Sequence, residues 1–209
     1  MNILRKQEMT VENMGDCRIG DQIQVGKYTA TCQKVTDDAA VFLLDQYLDN
    51  MNPTNTNGGG YKVSELRRTL QVVAANDENF ASIRERMRPF DNGELLRIPT
   101  VGEMFGYDDF YEMDDAEQWE LMKDRRNRIA DREGEEYEWG WLQNKVRNFA
   151  AYFSAVGTYG YALSVGASND LGVRPVFQLV GSRGRYPLKE TLNKSSKEGK
   201  QGEIRTISP

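Results

Sequence analysis

From Cys17 onward apolar and polar residues alternate. Ile19, Ile23 and Val25, then Tyr28, Ala30, Cys32 and Val35, fall on every second position or close to it, the period of half-buried strands. Gly20-Asp21 and Gly26-Lys27 punctuate these strands as tight turns. Ala39 to Leu44, A-A-V-F-L-L, is a continuous apolar run that reads as a buried strand. The N-terminal third is therefore expected to be an antiparallel meander. Residues 45 to 60, rich in Asn, Thr, Pro and Gly, cannot bury enough surface to order themselves and are expected as an external loop.

The period then changes to that of a helix. Ser64 is placed to cap a helix carrying Leu66, Leu70 and Val73 on one face. Phe80, Ile83 and Met87 repeat the spacing and predict a second helix over 77 to 87, ended by Pro89 and Asn92-Gly93. Leu95, Leu96 and Ile98 predict a short strand, and Thr100 opens a helical turn through Met104. Residues 107 to 138 stand apart as an insertion. Asp115 as cap, acids early, arginines late, and Trp119, Met122, Arg126 and Ile129 on one side predict an amphipathic helix. It reads as a structural flap, with a nucleic-acid recognition helix as the alternative. From Trp139 the chain is aromatic and small, with strands joined by turns and a last strand over 172 to 180. Strands, two helices, an inserted helix and further strands make an α+β class. The expected organisation is an N-terminal arm over 1 to 16, a domain over 17 to 181 holding the 107 to 138 insertion, and a tail over 182 to 209.

Composition alters this picture in three ways. The 209 residues, 39% hydrophobic and 28% charged, suffice for a core without disulfide staples, and no run is long enough for a membrane span. Histidine is absent, which removes the commonest general base and the commonest transition-metal ligand. Ser-His and Cys-His nucleophile pairs are thereby excluded. Cys17 and Cys32 are too few for a structural zinc site; they are expected as reduced, half-buried thiols, with a facing pair across neighbouring strands as the alternative. Charge is uneven. From Ser182 to Pro209 seven Lys or Arg stand against three Glu, whereas the whole chain carries −5. A basic tail on an acidic body suggests a docking arm, or a solvated end. The acidic body leaves no broad footprint for nucleic acid. Gly58-Gly59-Gly60 lacks the following Lys-Ser/Thr of a phosphate loop. Ser168-Asn169-Asp170 offers too few carboxylates for calcium. No metal, cofactor or catalytic residue is expected.

Four motifs in order carry a resemblance. They are G-D-Q-I-Q-V-G-K-Y at Gly20, Y-K-V-S-E-L-R-R-T-L at Tyr61, L-L-R-I-P-T-V-G-E-M at Leu95, and W-G-W-L-Q-N at Trp139 leading to F-S-A-V-G-T-Y-G-Y-A-L and G-V-R-P-V-F-Q-L. Together they cover residues 20 to 180 and resemble an uncharacterised family of gut Firmicutes and their phages, whose members end W-W-L-R-S and G-V-R-P-A. Gln143-Asn144 departs from that pattern, as does the length of 107 to 138. The family is similar to the C-type-lectin-like fold, shared with formylglycine-generating enzymes and the variable proteins of diversity-generating retroelements. The former need reactive cysteines in their C-terminal half, where this chain has none. The resemblance implies a non-enzymatic ligand-binding and display domain on a phage particle, attaching to a surface ligand, protein or glycan. The alternative is a capsid or tail decoration protein without a host ligand. With no secretory signal in view, a virion location, contacts to other virion proteins through the terminal arms and a homo-oligomer are expected, without nucleic acid or membrane.

The site residues divide by chemistry. Trp139, Trp141 and Leu142 are large apolar anchors, expected in the core. Gly172, Arg174 and Pro175 are expected to fix the turn into the last strand, Arg174 forking onto carbonyls or a carboxylate. Between them Tyr, Ser, Gly and Asn supply rigid contact area and adaptable hydrogen bonds. Asn144, Arg147, Asn148, Tyr152, Thr158, Tyr159, Tyr161, Asn169 and Asp170 are the expected ligand contacts, unless they are simply strand and turn positions.

Overall fold

The computed structural model describes residues 17–49, 59–132 and 138–180. The predicted arms over 1–16 and 182–209 and most of the 45–60 loop lie outside them. Among the described residues eight strands form two antiparallel sheets. The first has five strands in the order β1-β2-β3-β8-β4: β1 Gln22–Val25, β2 Tyr28–Val35, β3 Ala39–Leu44, β4 Met87–Arg88 and β8 Val176–Val180. The second joins β5 Gly140–Val146, β6 Phe149–Val156 and β7 Ala162–Gly166. With helices α1, Glu65–Asn76, and α2, Val101–Phe105, the class is α+β.

The meander predicted from alternation is present. β1 faces β2 from Gln22 opposite Thr31 to Val25 opposite Tyr28, and β2 continues onto β3 across a bulge between Cys32 and Lys34. Every residue of β3 is buried, as its unbroken apolar run requires, because it lies between β2 and β8. Ile19 and Val35, at the ends of the alternating stretch, are exposed instead. β1 and β8 share one sheet, with β2 and β3 between them.

α1 starts where the sequence places it. The Ser64 hydroxyl accepts from the Arg67 amide at 3.1 Å, and Leu66, Leu70 and Ala74 are buried. The predicted helix over 77 to 87 is not formed. Two 3-10 turns, Glu78–Phe80 and Arg84–Arg86, precede β4. The reason is local: the Asp77 carboxylate accepts from the Asn79 amide at 2.8 Å, and Arg84 donates to the carbonyls of Ala74 and Asp77 at 2.9 and 2.7 Å. The chain thus turns back to satisfy the end of α1 rather than start a new helix. The expected strand over 95 to 98 reduces to one bridge, Arg97 to Val176. The inserted helix is likewise absent, replaced by 3-10 turns at Glu120–Lys123 and Arg125–Asn127.

Among the described residues two buried clusters organise the interior. The larger joins Phe42, Leu44 and Phe177 of the first sheet to α1 and to Trp141, Phe153 and Val165 of the second. Phe42 stacks on Phe177 at 5.7 Å, and Trp141 meets Phe153 edge-on at 6.3 Å. The smaller packs α2 and the 3-10 strap, formed by Trp119 and the 3-10 turns over 120–127, through Met104, Trp119 and Met122, on Leu43, Leu142 and Val176.

Candidate binding surface

Of the six residues expected as structural, five are buried and one, Trp139, is half-exposed. Trp141 and Leu142 are buried, and so are Gly172, Arg174 and Pro175. Arg174 donates from Nε to the Leu44 carbonyl at 2.5 Å and from Nη1 to those of Asn127 and Arg128 at 3.0 and 3.3 Å. One guanidinium therefore ties β3, the 3-10 strap and the entry to β8. Burial holds its pKa below the ordinary arginine value. Gly172 acts by close approach. A Cβ there would sit 2.6 Å from the Tyr47 ring, and one on Gly140 would sit 2.4 Å from the Tyr47 hydroxyl. Trp139 departs from expectation: it is 44% exposed, because it precedes β5 and contributes its backbone carbonyl to the Gly172 amide rather than its ring to the core.

The nine expected ligand contacts do not form one patch. Asn144 is buried. Its Oδ1 accepts from the Val101 amide at 2.7 Å, and its Nδ2 donates to the Glu112 carbonyl at 2.7 Å and to Asp114 at 3.3 Å. This side chain pins α2 and residues 112–114 to β5. It is a structural link and no exposed contact.

The other eight lie at opposite ends of the second sheet. Val146 pairs with Phe149, so Arg147 and Asn148 form a two-residue connection, and Asn148 takes the left-handed conformation at φ 68° that Asn tolerates best among residues with a side chain. Beyond them Phe149, Ala150, Ala151 and Tyr152 are all exposed, whereas the next four residues of β6 are buried. Phe149 and Tyr152 meet edge-on at 6.2 Å. Asn169, Asp170 and the 167–170 turn join this end, since Ala167 donates to the Ala151 carbonyl and Asn169 to that of Gly166, both through backbone amides. Thr158, Tyr159 and Tyr161 occupy the turn after β6. At ~3.3 Å per residue, β6 holds the two groups roughly 20 Å or more apart.

At the second end Arg125 lies 5.0 Å over the Tyr161 ring and donates to its hydroxyl, while Tyr159 is 79% exposed. Gly160 is required here twice over: its φ is 74°, and a Cβ would lie 2.4 Å from the Arg125 carbonyl.

Some neighbours escape sequence reasoning. The Arg147 amide donates to the Phe110 carbonyl at 2.9 Å, and the Glu112 amide to that of Lys145 at 2.8 Å. Residues 110–112 thus run along the outer side of β5 and bring the exposed Phe110 ring to the hairpin end. Next to it lies a cleft of 330 Å³ whose lining includes Lys62, Glu112, Asp114, Gln143, Asn144 and Lys145. Lys145 Nζ stands 3.6 Å from Glu112. Acids, ammonium groups and amides offer both donors and acceptors there, without a single sign of charge. Only the Tyr-Asp-Phe composition near 107 hinted at Phe110; nothing local could link it to Arg147.

Among the described residues no three His, Cys, Asp or Glu side chains are grouped to hold a metal ion, and no helix is long and apolar enough to cross a membrane. No protein-family model, curated protein or solved structure matches the chain.

Proposed function

We propose that this chain is a non-enzymatic binding and display domain of C-type-lectin-like fold, carried on a bacteriophage particle, and that the free end of the β5–β6 hairpin holds a surface ligand, protein or glycan. The observation that carries this is the division of β6. Its last four residues are buried in the core, and its first four stand clear of it with two aromatic rings exposed. Exposed aromatic area on a rigid, core-anchored element is the usual chemistry of a recognition surface. Arg147, Asn148, Phe110 and the mixed-polarity cleft extend it with hydrogen-bonding groups. Contacts to other virion proteins fall to the arms over 1–16 and 182–209, and the domain is expected as a homo-oligomer.

Assembly without a host ligand is the alternative, favoured by one feature: Tyr159 and the Arg125–Tyr161 pair make a second aromatic surface at the far end of the same sheet, the arrangement of a bridge between two neighbours. Purified particles, examined by mass spectrometry and cryo-electron microscopy, locate the chain. Retention of the isolated chain on intact host bacteria then separates the two roles. Replacing Arg147, Phe149 and Tyr152 together with alanine should cut retention by about tenfold or more and leave folding intact; replacing Tyr159 and Tyr161 should leave it unchanged. Full retention by the triple variant overturns the binding role. Loss of particle incorporation in the Tyr159 and Tyr161 variant establishes the bridge.

A further inference from the structure

Cys17 and Cys32 are the only cysteines in the chain, and the fold brings them together. The Asp21 amide donates to the Arg18 carbonyl at 3.0 Å, closing a turn over 18–21, and the Asp21 carboxylate accepts from the Arg18 amide at 2.7 Å. Beyond that turn the β1–β2 ladder runs past the end of β1. The Cys32 amide donates to the Asp21 carbonyl at 2.8 Å, and the Gly20 amide donates to the Cys32 carbonyl at 2.9 Å. The reversal returns Cys17 to the inner face of β2, where it is 7% exposed and Cys32 is fully buried, both in the larger apolar cluster. Neither is in a disulfide.

The two thiols interact across this junction, and each also reaches a nearby carbonyl, Cys17 Sγ that of Arg18 at 3.9 Å and Cys32 Sγ that of Lys34 at 3.7 Å. The neighbouring Cys32 thiol favours the Cys17 thiolate and holds its pKa below the ordinary thiol value, against the opposing effects of burial and Asp21. The same contact, with burial, pushes Cys32 up. The pair is therefore unequal: Cys17, the slightly exposed member, has the more nucleophilic sulfur, and Cys32 waits behind it as a protonated partner.

We infer that Cys17 and Cys32 are a modification site, closing an intramolecular disulfide that fastens the segment preceding β1 to the second strand of the five-stranded sheet. The oxidant is a peroxide. The Cys17 thiolate attacks one peroxide oxygen, the O–O bond breaks, and the departing oxygen leaves as water after taking up a proton; Cys17 becomes a sulfenic acid. Cys32 then gives up its thiol proton and attacks the Cys17 sulfur, forming the S–S bond and expelling the second oxygen as water. Two thiols lose two electrons in all, and hydrogen peroxide takes them up to give two waters. Closing the loop between Cys17 and Cys32 removes conformations from the unfolded chain and so favours the folded one.

The full chain, purified with its thiols reduced and then given one equivalent of hydrogen peroxide, tests this. Intact mass should fall by two hydrogens, alkylation of both cysteines should cease, and proteolysis should release one peptide pair joined through Cys17 and Cys32. Melting should rise by roughly 5–10 °C and return on reduction. Cys17→Ser and Cys32→Ser should each abolish the mass change and the rise. Sulfinic acids in place of the bond, a disulfide between two chains, unreacted thiols, or a melting rise that survives in Cys17→Ser would each overturn the inference. The mass measurement on the unaltered chain stands even where a serine variant folds poorly.

Discussion

Arg174 and Asn144 are polar, buried and bonded to backbone from other segments, and at such positions the side chain's shape matters more than its charge. Lysine at 174 would keep the charge but lose the fork that reaches Leu44 and Asn127 at once. Arg174→Lys is expected to cost about 2 kcal/mol or more in urea unfolding, since it strands buried carbonyls. An unchanged midpoint would remove the clamp role. Asn144→Ala should cost about 1–3 kcal/mol by leaving the Val101 amide and Glu112 carbonyl unpaired, and a stability loss of that size with unaltered surface recognition marks it as structural. Gly172 belongs to the same scale. Gly172→Ala drives a methyl into the Tyr47 ring and should cost roughly 1–3 kcal/mol; thermal melting beside the Tyr47→Leu, Gly172→Ala double variant checks this, because relieving the contact should recover part of the loss.

Among the elements, those whose pattern is set by burial on a single sheet or helix face were legible in the sequence, and those set by a distant partner were not. Alternation predicts β1 and β2 and an apolar run predicts β3, because each strand's surroundings repeat along its length. Ser64 predicts the start of α1 because capping is local. Residues 115–132 show the opposite. Their acids, arginines and apolar spacing suit a helix, yet Asp124 turns its carboxylate to the Arg126 amide at 3.0 Å and starts a new turn in mid-segment. Meanwhile Trp119 donates its amide to the Glu103 carbonyl, and Arg128 stacks 4.8 Å over Phe105. These contacts to α2 exceed the few tenths of a kcal/mol per residue that helix propensity offers. The proposed binding surface divides likewise. Its aromatic content was legible, but not its separation into two ends, because that depends on which half of β6 meets the core. The two tryptophans flanking these elements provide the measurement. Trp119→Ala should destabilise by about 3–5 kcal/mol, as a core truncation does. Trp139→Ala, at a half-exposed position, should cost about 1 kcal/mol or less; denaturant titration of both variants decides.

At the scale of the whole molecule, the two sheets are held as one by the large cluster around Trp141, Phe153 and Phe177, while the proposed recognition role falls to the parts of β6 and its turns that this cluster does not use. Alanine at Phe149 and Tyr152 is therefore expected to shift stability by about half a kcal/mol each or less, whereas Phe153→Ala on the same strand should cost about 3–5 kcal/mol; equal losses at the three positions, read by melting, would mean that the strand is not divided as described. The central pairing of the first sheet also governs how the molecule comes into being. Ala39 lies opposite Val180 and Leu43 opposite Val176, so β3 finds its neighbour only after nearly all of the described chain has been synthesised. Pairings of such long separation in sequence form slowly, because the entropy of closing the loop is lost before the contacts are gained. Until β8 leaves the ribosome, the A-A-V-F-L-L strand has one edge bare, and a nascent chain at this stage is open to association with its own kind. The step that completes the sheet is therefore expected to be a slow one, and the interval before it is when the unfinished chain is most open to association.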